Sequence, residues 1–179
     1  MLDVKVFGDG KDFGQALAAD LPTASQLSVA VAFAKESALS TVEVESWCRP
    51  GRRLQLLAGT DFALTELQVL RRLEATGFAD CRIYHSIAGQ VFHPKIYILE
   101  STDERIVYVG SSNLTRGGLL DNVEANVRMR ARRGTPAIEQ PRDVFDGCSA
   151  ASSPCHCRRN SIPAIGSSRR LFGQHKRIR

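Results

Sequence analysis

The chain has 179 residues, a length that suits one domain with a real core. An apolar fraction of 43% is ordinary for a soluble protein, and no apolar run is long enough for a membrane helix. The net charge of +5 misleads as an average: residues 149–179 hold seven Lys/Arg and no acid, leaving 17 bases and 19 acids before them, a net of −2. The body of the chain is therefore not globally basic, and any polyanion-binding patch on it must be local.

Met1 to Phe7 lacks a signal-peptide pattern, and Val4–Phe7 reads as a first strand. Gly8-Asp9-Gly10 is a turn, and Lys11–Leu21 has helical spacing through Phe13, Leu17 and Leu21 until Pro22 stops it. Leu27–Phe33 is a continuous β-rich run, Ser37–Cys48 reads as a helix ended by Pro50-Gly51, and Leu54–Ala58 is a strand. Gly59-Thr60-Asp61 lacks the glycine spacing of a nucleotide-binding loop and reads as a strand-exit turn, as does Gly8-Asp9-Gly10. Thr65–Thr76 places Leu67, Leu70 and Leu73 on one helical face before Gly77, and Cys81–His85 is another strand. These alternating units predict an α/β fold with a mixed, mostly parallel sheet flanked by helices on both faces.

After residue 90 the pattern changes to three strands with short connections, His93–Leu99, Arg105–Val109 and Val123–Met129, with a turn or short helix over Thr115–Leu120. Pro94 cannot donate to a sheet and biases His93 to an extended backbone, so His93-Pro94 should start its strand. Thr135-Pro136-Ala137 opens a helix to about Phe145, with Pro141 predicting a kink or early stop.

From Gly147 the composition shifts. Residues 149–179 read as a separate, disordered, basic Ser/Arg-rich tail, either an arm that tracks nucleic acid or the translated end of a frameshifted or truncated gene. Cys155-His156-Cys157 has no second ligand pair at suitable spacing, so no metal site is expected. Five cysteines make an odd count without a paired framework, which points to a reduced, cytoplasmic setting.

The densest chemistry lies between His93 and Glu124. His93 and Lys95 are two apart, so on a strand they share a face, and a nucleophile-capable imidazole beside a fixed cation suits attack on a phosphate ester. Gly110-Ser111-Ser112-Asn113 ends the apolar run Ile106–Val109, which puts polar groups at the rim of a buried strand. Clustered bases follow: Arg116, Arg128, Arg130, Arg132 and Arg133, with Arg128 and Arg130 on one strand face. Taken singly, the bland readings are a structural histidine, an ordinary turn and solvating surface charge.

Together, His93-x-Lys95, Gly110-Ser111-Ser112-Asn113 and Asn122-Val123-Glu124 resemble the signature of the phospholipase D superfamily. The run Ser112-Asn113-Leu114-Thr115-Arg116-Gly117-Gly118-Leu119 is similar to its nuclease branch, which includes restriction endonucleases and helicase-associated domains. One position departs: Glu100 stands where the family has Asp, five residues after Lys95.

The resemblance implies a metal-independent phosphodiesterase without cofactors, most directly a DNA endonuclease, acting through a covalent phosphohistidine. His93 would be the nucleophile, Lys95 and Asn113 would bind the phosphate with Ser112 and Arg116 beside them, Glu124 would hold the His93 Nδ1 proton, and Ser111 would orient site groups. No second His-x-Lys occurs, so the chain carries half a site, and a homodimer is expected to complete it. A helicase or methyltransferase partner is a further expectation. The rivals are a phospholipid-processing member of the superfamily and an inactive nucleic-acid-binding module.

Overall fold

The computed structural model describes residues 1–87 and 89–155. The chain runs β1 (Asp3–Phe7), α1 (Gly10–Asp20), β2 (Gln26–Val31), α2 (Val44–Trp47), β3 (Arg53–Gly59), α3 (Leu67–Ala75), β4 (Ala79–Tyr84), β5 (Lys95–Glu100), β6 (Glu104–Gly110), β7 (Asn126–Arg132), α4 (Pro136–Ala150) and β8 (Ser153–Pro154). Among these residues the strands form one eight-stranded sheet in the order β1-β7-β6-β5-β2-β3-β4-β8.

Only β2–β3 and β3–β4 pair in parallel, while β1–β7, β7–β6, β6–β5, β5–β2 and β4–β8 are antiparallel. The mixed sheet is present, but its parallel part is the three strands of the first half. The reason lies in the connections. α3 carries the chain from β3 back to the start of a parallel β4. The segment between β4 and β5 holds no helix among its described residues, so the chain reverses and β5 inserts antiparallel beside β2.

Alternation along the strands feeds two cores. Leu27, Val29 and Val31, Leu54 and Leu56, and Tyr97 and Leu99 bury against Phe13 and Leu17 of α1 and Val69, Leu70 and Leu73 of α3. Ala30, Leu57, Ile96, Ile98 and Val107 bury on the opposite face against Ile138 and Phe145 of α4. Helices therefore do cover both faces.

Local departures have local causes. The helix expected over Ser37–Cys48 shrinks to one turn at Glu36–Ala38 and the short α2, because Ser40 and Thr41 hydroxyls donate back to the Ser37 carbonyl and compete with helix bonding. Asp9 is more than a turn residue: its carboxylate caps α1 by accepting from the Asp12 N–H at 2.7 Å. α4 does not stop at Pro141 but runs on to Ala150, forfeiting one backbone bond there while Phe145 beyond it is fully buried. β8 follows, pairs with β4, and brings residues 149–155 into the folded body. The remainder of the expected tail, 156–179, including His156 and Cys157, lies outside the described residues.

Candidate active site

One end of the sheet gathers the motif. β2, β3 and β4 finish there at Val31, Gly59 and Tyr84, β5 and β7 begin there at Lys95 and Asn126, and β6 ends there at Gly110. The carboxyl end of parallel strands is where open α/β sheets place ligands, and this sheet adds loops from its antiparallel half.

His93 precedes β5 rather than lying in it, because Pro94 offers no N–H to the ladder. The expected pairing of His93 with Lys95 nevertheless forms. The buried Lys95 Nζ lies 2.6 Å from His93 Nδ1 and 3.0 Å from Nε2, and donates to the His93 carbonyl at 3.1 Å. Burial pulls the Lys95 pKa below the ordinary lysine value, and the Glu124 carboxylate opposes that shift. The ammonium thus lies within hydrogen-bond reach of both ring nitrogens. A ring nitrogen is free to attack only once Lys95 moves to another acceptor, the role a phosphate oxygen would fill.

Asn113 is nearly buried, and its Oδ1 accepts from the Phe33 N–H at 3.3 Å, which aims its Nδ2 away from that strand exit. Its loop is clamped alongside the exit of β2: Ala34 bridges Leu114, and the Lys35 N–H donates to the Leu114 carbonyl at 2.9 Å. The following π-turn, Gly117–Asp121, comes so close that a Cβ on Gly118 would stand 2.5 Å from the Asn113 carbonyl oxygen. The Gly117-Gly118 pair is what admits that approach.

Glu124 accepts from Ser111 Oγ and, at 3.1 Å, from Asn122 Nδ2; the Ser111 hydroxyl in turn accepts from the Ala125 N–H at 2.9 Å. Where a Glu124 contact to His93 Nδ1 is expected, Lys95 Nζ lies 2.6 Å from that nitrogen. The Ser111 hydroxyl thus ties Glu124 to the backbone of Ala125.

Two residues expected beside the substrate have partners within the chain. Ser112 is fully buried; its hydroxyl accepts from Asn126 Nδ2 at 2.8 Å and its carbonyl accepts from Tyr97, so it braces β6 against β7. Arg116 is exposed and held by Asp121, with Nε 2.9 Å from Oδ2.

The expected basic patch also dissolves. Arg128 is bound to Asp20 at 2.6 Å and to Asp3 at 2.9 Å, and Arg130 to Glu104. Arg132 and Arg133 lie at the far end of β7, about 20 Å from Asn126 by strand rise. Asp20, Asp3 and Glu104 are remote in sequence from these arginines, so spacing gave no warning of the pairing.

Glu100 ends β5 roughly 17 Å from Lys95. It is buried and bridges Arg105 at 2.6 Å and Arg142 at 3.2 Å, tying α4 to the sheet. The acid of the motif serves the fold here, and its extra methylene is accommodated by arginines from β6 and α4.

Sequence reasoning missed Asp61. Its Oδ2 accepts from Ser86 Oγ at 2.6 Å and from the N–H of Phe92, the residue before His93, at 2.9 Å. These bonds hold the Asp61 carboxyl below its ordinary pKa. Nothing in the spacing of Gly59-Thr60-Asp61 signals a contact 31 residues away.

The family model described as cardiolipin synthase, PLD-like domain, matches residues 23–148. No curated protein matches the sequence. Among solved structures, NucT from Helicobacter pylori superposes with a TM-score of 0.69 at 13% identity, covering 86% of this chain and 99% of its own. Nuc from Salmonella typhimurium, a phospholipase D family member, gives 0.63 at 12% identity, covering 86% and 97%. The phosphatidylserine synthase of Haemophilus influenzae gives 0.65 at 12% identity, covering 86% of this chain and 40% of its own. At these identities the structures establish a shared fold.

Proposed function

Because the chain belongs to the phospholipase D superfamily, we propose that it is a metal-independent phosphodiesterase, specifically a DNA endonuclease that works as a homodimer. The reading rests on one observation. The buried Lys95 ammonium lies against the imidazole of His93 at the sheet end where Asn113 and the Ser111–Glu124 pair converge.

The chemistry follows from those groups. A diester phosphate draws Lys95 off the ring and onto a non-bridging oxygen, with Asn113 Nδ2 as a second donor. His93 then attacks phosphorus. An N–P bond forms, the P–O bond to the leaving group breaks, and the leaving oxygen takes a proton from His93 of a second protomer. That second imidazole next removes a proton from water, whose oxygen attacks phosphorus and breaks the N–P bond. The lone His-x-Lys motif supports the two-protomer arrangement, since one chain supplies only one of the two imidazoles.

The test is cleavage of mixed single- and double-stranded DNA in excess EDTA, beside His93→Ala. Cutting by the wild type alone is the expected result. No cutting by either form, with unchanged DNA affinity, favours an inactive binding module of a helicase or methyltransferase system.

The phospholipid reading has its own support in the exposed Phe62, Ile87 and Val91 on loops tied to the His93 segment. Turnover of phosphatidylcholine vesicles with DNA left intact would select it.

A further inference from the structure

We propose that Asp61 is the positioning residue for His93, a role that rests on the phosphodiesterase reading. His93 lies in irregular chain between β4 and β5, so no ladder hydrogen bonds fix it. What holds it are its neighbours. The N–H of Phe92 is shared between Asp61 Oδ2 at 2.9 Å and Ser86 Oγ at 3.0 Å, and Ser86 itself donates to Asp61. The Phe92 ring is buried and stacks on Tyr84, with centroids 4.4 Å apart. It also closes on Gly59, where a Cβ would stand 3.0 Å from its Cδ1 and 2.7 Å from the Ala32 carbonyl oxygen. On the other side of His93, Pro94 fixes φ and Lys95 holds the His93 carbonyl at 3.1 Å. Remove the Asp61 carboxylate and the amino side of His93 keeps only Ser86, itself no longer held by Asp61, while the carboxyl side keeps its own anchor.

The loop that delivers Asp61 is distorted in a way that marks a special requirement. Phe62 and Ala63 have φ of 62° and 53°, a region L residues rarely adopt. Such backbone persists only where its surroundings over-determine it. Here the loop is pinned at both ends: by Asp61, and by Thr65, whose hydroxyl donates to the Gly59 carbonyl at 2.6 Å and accepts from the Ala34 N–H at 3.4 Å. Phe62 is 72% exposed, so the distortion buries no apolar surface of its own. It brings one carboxylate to the backbone next to His93. A nucleophile must sit within a fraction of an ångström of its line of attack, and a displacement of about 1 Å can cost a hundredfold in rate.

The experiment measures hydrolysis of bis(p-nitrophenyl) phosphate in EDTA by wild type, Asp61→Ala and Asp61→Asn, with thermal melts of each. Asp61→Ala is expected to lower kcat by roughly tenfold to a hundredfold with KM within about twofold. Asp61→Asn, whose amide oxygen still accepts from Phe92 and Ser86, should retain most of kcat. An unchanged kcat in Asp61→Ala, a loss confined to KM, or an Asp61→Asn as defective as a folded Asp61→Ala overturns the proposal. If Asp61→Ala does not fold, Ser86→Ala takes its place: a partial loss of kcat supports the tether, and wild-type kcat overturns it. A wild type that hydrolyses nothing defeats the phosphodiesterase reading alone. The imidazole NMR resonances of His93 then decide: displacement or broadening in Asp61→Ala supports the tether, and spectra identical to wild type refute it.

Discussion

Replacing Glu100 with Ala separates the fold from the chemistry within one motif. Glu100 bridges Arg105 and Arg142, and the Arg105 side chain is only 4% exposed. Truncation leaves two guanidinium groups facing each other without the acid between them, and Glu139 and Asp146 reach only one arginine each. Breaking a buried pair by removing one partner costs about 3–5 kcal/mol. For a chain of this size about 2–4 °C of Tm goes with each kcal/mol, so the midpoint should fall by about 6–20 °C. Calorimetry reads that fall directly. Phosphodiesterase activity, assayed well below the new midpoint, should stay near wild type, because Glu100 and Lys95 stand at opposite ends of β5. Lost activity with an unmoved Tm would refute the reasoning and return this acid to the site.

Three further outcomes follow from the geometry. Gly118→Ala should lower both kcat and Tm, since its Cβ must push the Asn113 backbone away from a 2.5 Å contact and overpacking of this kind costs about 1–3 kcal/mol; steady-state kinetics with a small diester and thermal melts check this. Lys95→Met should abolish activity while holding or raising Tm at neutral pH. A lysine with a depressed folded pKa is protonated in the unfolded chain but not in the fold between that pKa and its unfolded value of 10.5, so wild-type stability climbs with pH across that window. Melts taken from neutral to about pH 10 should show that climb in the wild type and its loss in the variant. Arg128→Ala should destabilise by about 2–3 kcal/mol, because Asp20 and Tyr108 lose a shared partner, yet leave the salt dependence of DNA binding unchanged; a shallower salt slope would restore Arg128 to a phosphate-binding role.

The sequence exposes contiguous chemistry well and long-range pairing poorly. His93, Lys95, Asn113 and Glu124 are legible because one 32-residue stretch carries them, and strands such as Leu54–Ala58 because apolar runs announce them. The antiparallel half of the sheet was hidden. Alternating strand and helix signals say that crossovers exist, but they do not say that β5 will lie between β6 and β2. The arginines of β7 looked like a polyanion patch because Asp20, 108 residues away, gives no local sign of its contact with Arg128. Asp61 escaped for the same reason: a carboxylate at a strand exit is ordinary until the loop it tethers is known.

The matched domain begins at residue 23, after β1 and α1, yet those two elements are not an ornament on it. A Cβ on Gly14 of α1 would fall 2.1 Å from the Leu119 carbonyl oxygen, so helix and π-turn meet backbone to backbone. That turn is the seat of the Asn113 loop. A module excised at its sequence-defined start and grafted elsewhere would carry every motif residue but leave behind the wall the Asn113 loop leans on. The glycine contact therefore places the start of the folded unit ahead of the matched segment.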